Sequence, residues 1–145
     1  MFLGTYTVEL DQQDRLSMPA AYGLEPSRVL FVMQGFERNL MILTARSFES
    51  LSGRLGSLNI ADPAARLLLR LSFGSACEVR VDDDGAIAVP QPLREHAGLS
   101  GHLKVIGLGD YCEVWSGKHW AEQQALLDDA EANAKRFSTL MVMTR

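Results

Sequence analysis

The sequence predicts a mixed α+β fold, mainly β with α, in which two tandem β-β-α-β-β units form a pseudo-twofold, interleaved barrel with flanking helices. Two observations predict it. A segment of alternating apolar residues around a polar turn occurs twice, at 8–19 and 79–90, with a constant offset of 71 residues. Each copy is followed by the same succession of a short helix or turn, two apolar strands and a longer helical pattern. Such a repeat indicates two equivalent structural units.

The strands follow from period-two spacing. The first copy, VELDQQDRLSMP, alternates on both sides of a polar loop at 11–14, which is typical of a β-hairpin. The second copy, VRVDDDGAIAVP, predicts another hairpin. In the first half, the hairpin is followed by a turn or helix at 20–24 and by strands at 29–33 and 40–43. In the second half, it is followed by a helix near 92–97 and by strands at 103–108 and 112–115. One unit alone would leave its strand edges open, so the two units are expected to pair their strands.

Helical patterns follow each set of four strands. Asp62 and Pro63 predict the N-cap and first residue of one helix. Its apolar stripe is expected to contain Leu67, Leu68, Leu71 and Phe73. A single C-terminal helix is expected from Trp120, Leu126, Leu127, Ala130 and Ala134. The predicted division is a first unit at 5–47, linking helices at 48–75, a second unit at 76–119, and a C-terminal helix and tail at 120–145.

Composition and charge limit the possible partners. The chain of 145 residues, 47% hydrophobic and 22% charged, is typical of one globular domain. We expect neither a membrane span nor a signal peptide, which predicts a cytoplasmic location. The net charge is −4, and residues 74–145 hold all the excess acid, with eleven Asp or Glu against seven Lys or Arg. A generic basic nucleic-acid binder is therefore excluded, and any anion-binding surface must be local.

No catalytic or metal-binding pattern is recognisable in the sequence. Cys77 and Cys112 stand 35 residues apart, without the spacing of a zinc site, and we expect them to fill the core. His96, His102 and His119 lack ligand spacing. Nucleotide-binding loops and serine-hydrolase motifs are absent from the sequence. We therefore predict no enzyme, no metal and no cofactor.

The first polar loop carries the most specific chemistry. An aspartate that opens a tight turn, such as Asp11, accepts backbone N–H bonds two residues on and fixes the loop. Its carboxylate can also brace Arg15 and leave the other guanidinium donors facing outward. A planar, permanently charged group held at a loop tip suits phosphate or guanine recognition. The alternative is a surface ion pair that only stabilises the turn, worth about 0–1 kcal/mol.

The whole set of motifs resembles the MraZ family of bacterial transcriptional regulators, which are built from two SpoVT/AbrB-type units. The resemblance rests on the MFLG start, D-x-x-x-R-L-S-M-P at 11–19, LLRLSFGSACE at 68–78, D-x-x-G-x-I-x-V-P at 82–90 and LREHAGL at 93–99. It implies binding to short repeated sites in double-stranded DNA upstream of the division and cell-wall gene cluster. It also implies a swapped-hairpin-like barrel within each chain and the assembly of chains into a ring-shaped homo-oligomer. Association with the nucleoid and a D-x-x-x-R arginine on the DNA-facing side of each half are implied as well.

The match to that motif is complete in one half only. Asp11 and Arg15 match it, whereas the second loop keeps Asp82 but has Ala86 in place of the arginine. Departures in the first loop are Gln13 and Asp14, where the family usually has lysine and glycine. The changes at Asp14 and Ala86 favour an alternative, a divergent oligomeric scaffold or interaction protein with weak or lost DNA binding. The retained pair of Asp11 and Arg15 argues against it. From charge and loop position alone, Arg28 and Arg38 are further candidates for DNA-backbone contacts.

Overall fold

The computed structural model describes residues 1–140, and the end of the predicted tail, 141–145, lies outside this range. Within it the chain forms eight strands and five α-helices, with a 3-10 turn at Ala20–Tyr22. The strands are β1 Thr5–Glu9, β2 Arg15–Ser17, β3 Val29–Gln34, β4 Asn39–Thr44, β5 Cys77–Arg80, β6 Ala86–Ala88, β7 His102–Gly107 and β8 Tyr111–Ser116. The helices are α1 Ala45–Gly56, α2 Pro63–Ser75, α3 Gln91–Ala97, α4 Gly117–Asp128 and α5 Ala130–Phe137. The mixed α+β class is confirmed.

Six strands form one antiparallel sheet, and its order shows how the two halves interleave. The order is β1-β7-β8-β4-β3-β5. Exchanging β1 with β5, β3 with β7 and β4 with β8 gives the same order in reverse. The first strand of each half therefore pairs with the third strand of the other half, as Thr5 opposite Ile106 and Leu30 opposite Val79 show. The predicted pseudo-twofold, swapped pairing of two tandem AbrB-like units is confirmed.

The two remaining strands form a separate ribbon. Strands β2 and β6 pair with each other, with Leu16 opposite Ile87. A backbone bridge between Leu10 and Leu16 joins this ribbon to the end of β1. The six-stranded sheet ends at β1 and β5, so hydrogen bonds do not close it into the barrel that the repeat suggests. The difference arises because β2 and β6, at three residues each, pair with one another and do not extend the edges of the sheet.

Both halves contribute to a single core between the sheet, the ribbon and α3. Alternate residues of the central strands are buried there, including Leu30 of β3 and Val105 of β7. Cys112 is fully buried in this cluster, and Cys77 packs against it, as predicted. Because the ribbon lies over this shared core, the hairpin loops of both halves are brought to the same place.

The helices begin at capped positions. Thr44 Oγ1 accepts a hydrogen bond from the Ser47 N–H at 3.1 Å, and Ser116 Oγ accepts one from the His119 N–H at 3.1 Å. These caps stand at equivalent places in the two halves and start α1 and α4. The Asp62 carboxylate caps α2, as predicted, by accepting from the Ala64 N–H at 2.9 Å.

Two helical predictions are wrong in detail. The buried positions of α2 are Ala65 and Ser72, whereas Leu67 and Phe73 are 64% and 42% exposed. Hydrophobicity alone does not show which side of a helix meets the sheet. The single C-terminal helix predicted from sequence is two helices, because Asp129 interrupts it and caps α5. No helix within residues 1–140 is long and apolar enough to cross a membrane.

Candidate functional site

The loop between β1 and β2 is fixed by one aspartate. Asp11 Oδ1 accepts hydrogen bonds from the backbone N–H groups of Gln13 and Arg15, at 2.8 and 2.9 Å. The backbone closes the same turn, since the Asp11 N–H donates to the Arg15 carbonyl at 2.9 Å. The turn predicted from Asp11 is therefore present, and it sets the starting direction of the Arg15 side chain.

The loop between β5 and β6 has the same geometry. Asp82 Oδ1 accepts from the N–H groups of Asp84 and Ala86, each at 2.9 Å, and the Asp82 N–H donates to the Ala86 carbonyl at 2.8 Å. Ala86 itself is buried, opposite Ser17 in the ribbon. The second half thus keeps the whole turn, without a side chain at Ala86 that could reach the loop surface.

Arg15 lies between the two loops. Its Nε donates to Asp11 Oδ2 at 2.9 Å, which is the predicted brace. Its Nη1 donates to Asp82 Oδ2 at 3.0 Å and lies 3.7 Å from a carboxylate oxygen of Asp84. The prediction that the remaining donors all face outward is therefore wrong for Nη1, because the pseudo-twofold axis brings the acidic second loop against it. Nη2 makes no hydrogen bond within residues 1–140 and is the donor best placed to meet an anion.

The hydrogen bonds shift the ionisation of these groups. The pKa of Asp11 is lowered, mainly by the Arg15 backbone N–H and further by the Gln13 N–H and the Arg15 guanidinium. The pKa of Asp82 is lowered mainly by the Ala86 backbone N–H, with smaller contributions from the Asp84 N–H and from Arg15. The pKa of Arg15 is raised, chiefly by its hydrogen bond to Asp11. At neutral pH both aspartates are ionised and Arg15 is a cation.

A second arginine holds the tip of the first loop. Asp14 has a left-handed backbone with φ of 60°, and Gly85, 71 residues later, has φ of 78°. Glycine adopts this conformation freely, whereas an aspartate is strained in it. Arg94, in α3, places Nη2 3.4 Å from the Asp14 carboxylate and donates from Nη1 to the Val89 carbonyl. This ion pair ties the strained tip to the second half of the chain.

The loop face is acidic overall. It carries five aspartates, Asp11, Asp14, Asp82, Asp83 and Asp84, and the arginines Arg15 and Arg94 lie against them. These seven charges sum to −3. A polyanion that approaches this face is therefore subject to a net electrostatic repulsion.

Arg28 and Arg38 lie outside this cluster. Both are exposed, and they flank opposite ends of β3, a strand that spans ~20 Å at ~3.3 Å per residue. The Arg28 carbonyl accepts from the Val81 N–H at 3.0 Å, next to the second loop, but its side chain lines a different cavity with Ser47 and Asp110. Within residues 1–140 neither guanidinium forms an ion pair with the loop aspartates.

Two contacts of the site lie beyond what the sequence motif predicts, namely Arg15 with Asp82 and Arg94 with Asp14. Both join residues of different halves. The repeat contains a partial signal for the first contact, because pseudo-twofold pairing places equivalent turns side by side. Nothing at offset 71 from Arg94 suggests the second, since the equivalent residue is Gly23. Residues 1–140 contain no group of three His, Cys, Asp or Glu side chains arranged to hold a metal ion.

The fold and the paired loops define a protein of two tandem AbrB-like units that share one core. The chain matches the family model described as an MraZ, antitoxin-like protein twice, over residues 1–71 and 72–141. It therefore belongs to the MraZ family. The division near residue 72 agrees with two units, while the finer predicted boundaries stay predictions.

Curated relatives support the same membership. Proteins named Transcriptional regulator MraZ are 36% identical in Micrococcus luteus, over 90% of this chain and 94% of theirs, and 35% identical in Thermomicrobium roseum, over 97% and 100%. The relative from Herpetosiphon aurantiacus is 32% identical over 95% and 97%. The solution structure of PHS018 from Pyrococcus horikoshii matches at 16% identity over 79% of this chain and 88% of that one, with a TM-score of 0.32, too low to carry an argument.

Proposed function

We propose that this protein is a sequence-specific DNA-binding transcriptional regulator that acts at repeated sites upstream of the division and cell-wall gene cluster. The observation that carries the proposal is the placement of Arg15, a guanidinium fixed by Asp11 at the meeting point of the two hairpin loops. The names of the curated relatives, Transcriptional regulator MraZ, support the same class of function. As a regulator it would work in the cytoplasm, associated with the nucleoid.

Arg15 suits this role because its orientation is set before DNA arrives. Two of its nitrogens are already held by carboxylates, so little side-chain freedom is lost when Nη2 meets a phosphate oxygen or a guanine edge. Asp11 contributes by holding the loop and the guanidinium and does not itself contact the anion. Arg28 and Arg38 stay candidates for phosphate contacts at the two ends of β3.

Each chain offers one such arginine, so we propose that binding depends on several chains acting together in a ring-shaped homo-oligomer. Linked weak sites that engage repeated DNA elements raise the overall affinity by about 10²–10⁴ without any new contact. In this way the protein would bind repeated sites even though the second of its two loops has Ala86 where the motif has an arginine.

Fluorescence anisotropy with labelled DNA from the promoter upstream of the protein's own gene tests this function. We expect saturable, salt-sensitive binding that is weakened about fivefold or more by Arg15→Ala, since one arginine contact contributes about 1–3 kcal/mol. The slope of log affinity against log salt should fall by ~0.9 for each phosphate contact removed. Arg70→Ala, which removes an exposed arginine from α2, is the matched control. Absence of binding at low salt would refute the regulator function.

The acidic loop face favours a second candidate, an MraZ-like oligomeric scaffold with weak or lost DNA binding. Asp82 and Asp84 lie where a phosphate would approach Nη1, and the cluster sums to −3. In that case the chain would assemble normally, and promoter DNA would bind no better than an unrelated duplex of the same length. The anisotropy titration with both duplexes distinguishes the two functions.

A further inference from the structure

An open groove of about 680 Å³ lies beside α1, bounded by the β3–β4 and β7–β8 turns. Its apolar lining comes from Met41, Leu43 and Leu51, and the turns add Phe36 and Leu108. Phe36 is 71% exposed and Leu108 44%. Large apolar side chains gathered on a concave surface mark an interaction site.

The charges of this groove are mostly positive. Arg46 and Arg54 line it from α1, eight residues or ~12 Å apart along the helix axis. The opposing charge in the lining is Asp110, whose backbone carbonyl accepts from Ser47 Oγ at 2.8 Å. A complementary partner would combine exposed apolar side chains with carboxylates at similar spacing.

The end of α4 has this composition. Leu126 and Leu127 are exposed there, although α4 follows directly on the core strand β8. Residues 119–134 contain four carboxylates and no lysine or arginine. Of these, Glu122 and Asp128 stand six residues or ~9 Å apart on the helix. We call this surface the acidic end of α4.

The pseudo-twofold relation between α1 and α4 indicates a head-to-tail contact. At an offset of 72 residues, the groove residues Met41, Leu51 and Arg54 become Glu113, Gln123 and Leu126. Gln123, which is equivalent to the apolar groove residue Leu51, is polar and donates a hydrogen bond to the Glu37 carboxylate at 3.0 Å. The two surfaces are therefore different, and pairing the groove of one copy with the helix end of another leaves the pair with one free surface of each kind. Such a contact builds a closed ring or an open filament.

We propose that the groove beside α1 of one copy receives the acidic end of α4 of the next copy. The proposal rests on the homo-oligomer proposed above and names the surfaces that form it. Leu126 and Leu127 would cover Leu51 and Phe36, while Glu122 and Asp128 would face Arg54 and Arg46. The loop face with Arg15 belongs to the β2–β6 ribbon and is not part of either surface.

Native mass spectrometry of two charge-reversed chains tests this pairing. The groove variant carries Arg46→Glu and Arg54→Glu, and the helix variant carries Glu122→Lys and Asp128→Lys. Each is expected to raise the apparent dissociation constant at least about tenfold, because like charges would then face each other across the contact. Mixing the two variants should restore assembly at a 1:1 ratio, since each reversed surface then meets its reversed partner.

The controls separate this proposal from the oligomer itself. Arg70→Glu with Arg80→Glu reverses two exposed charges elsewhere and should leave assembly unchanged. A wild-type chain that is monomeric at every concentration would refute the oligomer and this contact together. An assembled wild type with unaffected variants would overturn the contact alone. Dissociated variants that fail to reassemble when mixed would also overturn it.

Discussion

Arg15 is held by carboxylates from both halves of the chain, and this decides how it can meet DNA. Asp11 is a local brace four residues away, whereas Asp82 and Asp84 come from the opposite loop. If residue 86 were an arginine, Asp11 and Asp82 would each be paired with a cation of their own half. Here one guanidinium satisfies both loops, so the second loop competes with phosphate for Nη1.

Neutralising the exposed part of that loop should strengthen DNA binding. The Asp84 side chain is 78% exposed, and within residues 1–140 it accepts no hydrogen bond from the backbone, so it does not fix the turn. For Asp84→Asn, and again for Asp83→Asn, we expect affinity to rise about threefold at low salt, the Coulomb effect of one charge ~7 Å from a phosphate in water. Anisotropy measures the change, with Glu49→Gln on α1 as the control. Unchanged affinity would mean that the second loop does not face DNA.

The two bracing aspartates should make the loops sensitive to acid. Both have folded pKa values below the ordinary value of about 4, so they stabilise the fold above that pH and lose this contribution as the pH falls through their lowered values. We expect the melting temperature to fall as the pH drops below 4, less steeply in Asp82→Asn. Carbon-13 titration of the carboxyl signals gives the pKa values directly. Titration at or above the ordinary value would contradict these hydrogen bonds.

The features that are predictable from sequence are those that depend on contacts between residues close together in the chain. The Asp11 brace, the Asp62 cap and the core positions of the strands follow from contacts within a few residues or from simple alternation. The exposure of Leu67 and the contact of Arg94 with Asp14 depend on what lies across from each side chain. Such contacts are set by tertiary packing, which local patterns do not specify.

Gly85, in the second loop, allows a test of how a left-handed backbone conformation affects stability. Gly85 has a left-handed φ of 78° and open space around it, so Gly85→Ala adds backbone strain without a clash. We expect it to lower the free energy of unfolding by about 1–2 kcal/mol. Gly53, in the middle of α1 and also with open space, is the matched control, and Gly53→Ala should raise stability by about 0.5–1 kcal/mol. Equal effects at the two sites would show that backbone conformation is not the cause.

At the scale of the whole molecule, the interleaved sheet makes the two halves one folding unit. The edges of each half are covered by strands of the other, since β1 pairs with β7 and β5 pairs with β3. The α4 helix also reaches across, through the bond from Gln123 to Glu37. Separate folding of either half would expose the apolar inner face that both share.

Unfolding should therefore be a single transition, whichever half is observed. Leu30, in the first half, is fully buried, and Leu30→Ala should cost about 2–5 kcal/mol. Trp115 and Trp120, both in the second half with ring centroids 6.0 Å apart, supply a fluorescence signal from the other side of the repeat. Denaturant titrations at fixed protein concentration should show this signal shifting together with the far-ultraviolet circular dichroism. Leu67→Ala, at a position of α2 that is 64% exposed and outside both proposed contact surfaces, should shift neither. A tryptophan transition that stays at its wild-type midpoint in Leu30→Ala would mean that the halves unfold independently and that the pseudo-twofold sheet is not one cooperative structure.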